Sequence, residues 1–322
     1  MSPTIQLEEW LQVIRSEYLQ DYVRAGGAAV KFPVACAAMP SATIVDRVTH
    51  VASGSGYLVA TVSAAAVRIH LIEKLFGAVA DQIPWEELAT ERLRQIATEH
   101  FAVPPVFDGR PVAEQIAAAA GVDAAFVRTV LEVAIGKHVF QDRDLARDFR
   151  IAMTWLCRAR LTGGQEGASW QREIRAWLGG RVTAMSNLRP FQIYTKIGRT
   201  NARHHFESLF TWIRRVDRPG LVIAVDGTRL TTTSRRNDGS CNYTRSSLVD
   251  AYEVLRQFVD TTDHLTGVLL VVVTDEVFLD IETGSRGLGA YPALMNRVYD
   301  EVRDRNLVNP MASLVRIASE EV

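Results

Sequence analysis

Two runs, LVIAVD at 221–226 and GVLLVVV at 267–273, constrain this chain more than any other feature. Neither alternates apolar with polar residues, so neither suits a sheet with one wet face. GVLLVVV, the longest strongly apolar run, is far too short to span a bilayer. Strands apolar throughout belong in a parallel sheet covered on both faces, and amphipathic segments at helical spacing lie between them. The sequence therefore predicts an α/β fold with a parallel sheet of about five strands flanked by helices.

Along the chain, Leu7, Trp10, Leu11, Ile14, Tyr18, Leu19 and Tyr22 recur at helical spacing over 5–24, and Gly26-Gly27 stop that helix. Strands are predicted at 29–35 and 57–63 with a helix between them, and 65–83 reads as helical. From 84 to 181 the pattern is helical throughout, with Asp123 and Asp142 as caps and TGGQEGAS (162–169) as a flexible break. A helix at 201–215 follows, then a strand, an Arg-rich stretch at 228–245 read as a mobile loop, a helix at 247–265, a strand at 267–275, a helix at 296–307 and a last strand at 312–317. The expected organisation is a core in two parts, 1–84 and 200–322, with a helical insert or lid at 85–199.

Lysine plus arginine number 36 against 37 acidic residues, so the net field gives no reason to expect nucleic acid or an anionic membrane. Cys36, Cys157 and Cys241 are scattered and form no CxxC pair, which argues against a disulfide framework or a zinc ribbon. The acidic start, with no long apolar run, does not read as a signal peptide. A cytoplasmic protein without membrane contact is the expectation.

VKFPVACAAMPSATIVDRV, residues 30–48, has the strand–turn–helix layout in which many proteins hold ATP phosphates. A GxxxxGK[ST] loop needs glycines so that backbone N–H groups wrap the phosphates, a lysine to neutralise them and a hydroxyl for magnesium. The corresponding octet is ACAAMPSA. Ala35 and Pro40 stand at the glycine positions, Ser41 at the lysine and Ala42 at the hydroxyl. Pro40 contributes no N–H, and Pro33 is unusual for a central strand. Two readings stand: a phosphate loop stripped of its chemistry, or a strand, turn and helix with no ligand.

LVIAVD ends in Asp226 like a Walker B strand, which holds magnesium through water, but Gly227 follows where active ATPases usually carry a glutamate. Thr274 sits where a sensor residue would touch the γ-phosphate, the other reading being a hydroxyl that simply ends a strand. Arg286, Arg297, Arg303 and Arg305 are candidates to act in trans on a neighbour's nucleotide, or to form surface salt bridges with Asp300, Glu301 and Asp304. Arg229, Arg235, Arg236 and Arg245 crowd the loop after the Walker B-like strand, with Arg235 and Arg236 the candidate DNA contacts. His204 and His205 cannot share a site on a helix, and no metal site is expected. No complete catalytic set is present.

Several stretches together carry a resemblance: EYLQDYVRAGGAAVKF, GRTNARHHFESLFTWIRRVDRPGLVIAVDG, YTRSSLVDAYEVLRQFVDTTDHLTGVLLVVVTDEVFLD and RGLGAYPALMNRVYDEVRDR. They are similar to the ATP-binding P-loop proteins of BREX-type phage-defence loci, the BrxD-like family, over most of the chain and least at 85–180. The resemblance implies a P-loop NTPase-like, AAA+/STAND-type sheet. Relatives carry a full Walker A loop after GG-x-x-VKF, and this chain departs from it at every functional position and again at Gly227. It thus implies a loop that lost its chemistry, no bound cofactor, and a pseudo-ATPase paired with an intact ATPase paralogue or with itself. The alternatives are an ATPase that binds ATP and magnesium through a non-standard loop, and a DNA-binding module of a defence complex.

Overall fold

A computed structural model of the chain describes residues 4–102, 112–182, 184–233, 239–283, 285–299 and 308–318. Contacts divide it into two units, Met1–Gln82 with Arg218–Val322, and Ile83–Asp217. The first unit holds the sheet: β1 (Ile5–Gln6), β2 (Ala28–Ala35), β3 (Leu58–Ser63), β4 (Leu221–Asp226), β5 (Val268–Asp275) and β6 (Leu314–Ala318). Every pair is parallel, in the order β1-β6-β2-β5-β4-β3. Helical connections and complete burial of the middle strands make this a P-loop NTPase-like α/β fold.

Before the second unit the chain forms α1 (Leu7–Val13), which continues as π-helical turns over Ile14–Tyr22, then α2 (Ser41–Gly54) and α3 (Ile72–Ala80). The second unit consists of α4 (Trp85–Phe101), α5 (Val112–Ala120), α6 (Ala124–Ile135), α7 (Arg147–Thr162), α8 (Gly164–Leu178) and α9 (Ala202–Arg215). Back in the first unit lie α10 (Thr228–Thr231), α11 (Arg245–Asp260) and α12 (Pro292–Val298). No helix among the described residues is long and apolar enough to cross a membrane.

One sheet face takes α1, its π-helical extension and α2: Trp10, Leu11, Ile14, Leu19, Ile44 and Val48 pack with Leu269, Val271, Val273 and Val315. On the other face Phe32 of β2 stacks on Phe278 at 5.7 Å, and Tyr252 of α11 meets the same ring edge-on at 5.7 Å. Pro33 sits in this central strand opposite Val315 of β6. The ladder to β5 skips Phe32 and Pro33 but resumes at the same offset, Lys31 facing Val271 before the gap and Val34 facing Thr274 after it. The missing N–H therefore leaves the register intact.

Several sequence expectations shift. Ile5 and Gln6, read as the start of a helix, pair with Ile317 and Ala318 as a strand. Of 65–83 only Ile72–Ala80 is helical. The segment before it is held in turns by Tyr243, whose hydroxyl contacts Ala64 O, Val67 O and Ile69 N. TGGQEGAS is no flexible break: α7 ends at Thr162 and α8 begins at Gly164. Asp123 caps α6 through Ala125 N and Phe126 N, but Asp142 caps nothing at α7 and instead accepts Arg215 Nε at 3.0 Å. The helix expected at 296–307 runs Pro292–Val298, and residues 300–307 lie outside the described ones. The helical unit also takes in α9, which the sequence reading gave to the α/β core.

In that unit His205 is buried, its ring 5.2 Å from Trp177 and 6.2 Å from Phe149. Burial lowers its pKa to about 4, so it is neutral at neutral pH. His204 is exposed on the adjacent position, which keeps the two rings from sharing a ligand.

Candidate functional site

Parallel sheets of this kind present ligands at the carboxyl ends of their strands. Here those ends bring together Ala35 of β2, Asp226 of β4, and Thr274 and Asp275 of β5. Val34 and Ala35 register with Thr274 and Asp275, and Asp226 with Val273. The three positions picked from separate sequence runs thus lie side by side on adjacent strands.

The loop after β2 is open and apolar. Ala37, Ala38, Pro40 and Ala42 are exposed, and Ser41 is partly so. Met39 N donates to Cys36 O at 3.0 Å and Thr43 N to Pro40 O at 3.0 Å, so two loop N–H groups close its own turns. No side chain caps α2, whose N-cap is Pro40. A loop of this composition offers a phosphate only its remaining N–H groups and the helix dipole.

A lysine does stand close by in sequence, and the sequence reading passed over it. Lys31 of β2 is 4% exposed, with Nζ 2.5 Å from Tyr18 Oη, 2.5 Å from Met311 O and 3.3 Å from Ala312 O. Its ammonium also lies 4.2 Å from the Tyr18 ring centre. It is spent on joining β2 to the π-helical turns and the 311–312 turn. The signal was available: one lysine inside an apolar strand.

Asp226 accepts Thr228 N at 3.1 Å and Thr228 Oγ1 at 2.7 Å on a single oxygen, forming a turn into α10. Gly227 N donates to Val273 O at 2.8 Å, so the position of the missing glutamate is tied to β5. Asp275 accepts Val277 N at 3.1 Å and lies 2.6 Å from Thr231 Oγ1. Thr274 is 1% exposed, and its Oγ1 has no hydrogen-bond partner among the described residues. Among the described residues no group of three His, Cys, Asp or Glu could hold a metal ion.

The arginines divide sharply. Arg286 Nη1 donates to Leu230 O and Nη2 to Tyr243 O, both at 2.9 Å, while Arg286 O accepts from Tyr252 Oη at 2.6 Å. This arginine ties the segment after β4 to the stretch before α11. A half-buried guanidinium with two carbonyl partners contributes about 2 kcal/mol. Arg286→Ala is therefore expected to lower stability by about that amount in chemical denaturation; unchanged stability would return Arg286 to the pool of free surface arginines. Arg297 pairs with Asp260 at 2.9 Å on the surface, the salt-bridge alternative, though with an acid from α11. Arg303 and Arg305 lie outside the described residues, as do Arg235 and Arg236. In the Arg-rich stretch, buried Arg229 donates from Nε to Cys241 O at 2.8 Å and from Nη2 to Asn242 at 2.6 Å. Arg245 donates to Ser285 O at 2.8 Å. The described ends of that stretch are thus fastened to the core; Cys241 N also donates to Ala65 O at 2.7 Å.

Compared with known families, residues 111–321 match the family described as BREX system ATP-binding protein BrxC/D. The matched span contains Asp226, Thr274 and every candidate arginine, and begins downstream of the loop at 35–42. No curated protein and no solved structure matches the chain.

Proposed function

The chain belongs to the family of BREX system ATP-binding proteins BrxC/D, and from that premise we propose that it serves phage defence as a non-catalytic P-loop-fold subunit. Its work is that of a structural or regulatory partner of an intact ATPase paralogue in a complex. One observation carries this reading: the loop after β2 holds no cation, and the nearest lysine in sequence, Lys31, is buried against Tyr18 and Met311 O. A charge-assisted contact is worth about 1.5–3 kcal/mol. Losing it together with the glycines and the magnesium hydroxyl moves ATP affinity by orders of magnitude. Gly227 adds to this, since it gives no group to polarise an attacking water.

The other ATPase reading draws on Asp226 and on the Thr274 hydroxyl, which has no partner among the described residues, both at adjacent strand ends. The two separate experimentally. With the purified chain, isothermal titration with ATP–magnesium is expected to give no saturable binding in the micromolar range, and phosphate release no turnover. Turnover abolished by Asp226→Asn would overturn the non-catalytic reading in favour of an ATPase with a non-standard loop. Mass measurement of the complex from its native locus is expected to show a second, larger or similar subunit with an intact loop.

A further inference from the structure

Helix α6 is apolar on two sides. Val127, Leu131, Ala134 and Ile135 are buried within its own unit. On the opposite side Phe126 is 55% exposed and Val133 68% exposed. A helix with only one face to bury carries polar residues on the other, so a second apolar face marks a second contact. Thr129, exposed, and Gly136, partly exposed, complete the outward face. Positions 126, 129, 133 and 136 repeat at alternating steps of three and four, the spacing of a two-helix seam. The large Phe126 and Val133 occupy one seam position, and the small Thr129 and Gly136 the other.

That distribution of sizes selects the occupant. Two copies of α6 related by a two-fold axis at the level of Leu131 run antiparallel. Phe126 of each copy then lies against Gly136 of the other, and Thr129 against Val133, so every layer joins a large side chain to a small one. A parallel pair would set Phe126 on Phe126 and Gly136 on Gly136, overfilled at one end and empty at the other. Gly136 has room for a facing ring: a Cβ there would meet nothing within 4 Å. Charge agrees with the same arrangement. Asp123 and Lys137 are exposed and about four turns apart, hence on one flank of the helix. Antiparallel pairing brings like flanks together, which places Asp123 of each copy near Lys137 of the other. Asp123 caps α6 through Oδ1 alone among the described residues, so Oδ2 is left for that contact. Val122 and Phe140, exposed and equidistant from Leu131, add apolar surface beyond either end of α6.

We infer that the outward face of α6 is a docking surface for the same face of a second copy of this chain, packed antiparallel about Leu131. The inference is independent of whether the loop after β2 binds nucleotide. One helix face buries less than the roughly 800 Å² per partner of a standard interface, so the dimer is weak. Sedimentation equilibrium of the purified chain tests it, with an expected monomer–dimer Kd of about 10–500 micromolar. Val133→Glu is expected to weaken association at least about tenfold, and Thr129→Lys severalfold or more, because each brings a charge into the seam. Mixed in equal amounts, these two variants are expected to form dimers more tightly than either alone, since the register sets position 133 of one chain against position 129 of the other. Tyr194→Glu, at an exposed position of the same unit outside α6, is expected to change nothing. Circular dichroism checks that each variant folds. If Val133→Glu does not fold, Gly136→Gln, at a helical φ of −56° with open space around it, replaces it with the same expected loss. If either partner of the mixture does not fold, the Gly136→Gln result decides, and unchanged association overturns the assignment. A wild-type chain monomeric up to about 1 millimolar, a dimer untouched by a folded Val133→Glu, an equal loss in Tyr194→Glu, or a mixture of folded variants no tighter than its parts each overturns it as well.

Discussion

Gly220→Val is expected to destabilise the α/β unit by about 4–5 kcal/mol or more, and the reason is backbone rather than core. Gly220 sits just before β4 at φ +149°, and a Cβ there would fall 2.0 Å from Gly267 O and 2.8 Å from its carbonyl carbon. Neither atom can swing aside, because Gly267 O accepts Leu221 N at 2.9 Å and Gly267 N donates to Gly26 O at 3.1 Å. Gly220 O in turn accepts Leu58 N at 3.1 Å. The contact thus joins the amino ends of four neighbouring strands, β3, β4, β5 and β2. Relieving it requires shifting β4 against β5, which breaks ladder bonds and repacks buried Val and Leu on both faces. Strain of that kind belongs to the rare class costing about 4–5 kcal/mol or more. That is a large share of a typical 5–15 kcal/mol total. Gly54→Ala is the control: nothing lies within 4 Å of a Cβ there, and the expected change is within about 1 kcal/mol. Urea denaturation followed by circular dichroism compares them; a Gly220→Val chain as stable as Gly54→Ala would remove the strand-end contact from the account.

Lys31→Met is expected to act in the opposite direction, stabilising the protein at pH 7 by about 1–3 kcal/mol. Burial lowers the Lys31 pKa from 10.5 to about 8. The folded-state value lies below the unfolded one, so between pH 8 and 10.5 the unfolded chain binds the extra proton. Stability attributable to this residue therefore rises with pH across that window. Its cost is fully present below pH 8 and gone above 10.5. A tenfold change in proton affinity is about 1.4 kcal/mol, so the whole effect is roughly 3 kcal/mol, less what its hydrogen bonds return. Methionine fills a similar volume, and Tyr18 Oη still reaches Met311 O at 3.1 Å. The measurable sign is a variant advantage at pH 7 that shrinks steadily from pH 8 to 10.5. A constant difference, or a variant weaker at pH 7, would show that the lysine's bonds outweigh its desolvation. A natural sequence that retains this cost does so for a contact between β2 and the turn before β6, which a shorter or apolar side chain cannot make by hydrogen bonding.

The strands were legible because burial on both faces leaves an unambiguous mark. LVIAVD and VLLVVVTD became β4 and β5 with ends within one residue of those read from the pattern. The helices of 84–181 were legible from their spacing for the same reason. What misled was local composition without its partners. VRIH and the residues around it look helical, but Tyr243, more than 170 positions away, holds them in turns. TRLTTTSRRNDGSCNYTR looks like a free loop, yet Arg229 and Cys241 fasten its described ends. Arg286 looks like a surface arginine and donates inward to two carbonyls. In each case the deciding hydrogen bond spans a distance along the chain that no local pattern records.

By itself the sequence determined that the chain builds a doubly covered parallel sheet, and that the turn after β2 carries neither glycine nor lysine, because both facts reside in residue types and their spacing. Only the tertiary structure decided which charges are spent inside the fold. Lys31 is consumed on Tyr18 Oη and Met311 O, and Arg286 on Leu230 O and Tyr243 O. Electrostatic use depends on burial and on neighbours a few ångströms away, and those neighbours are set by strand register and by contacts between segments hundreds of residues apart.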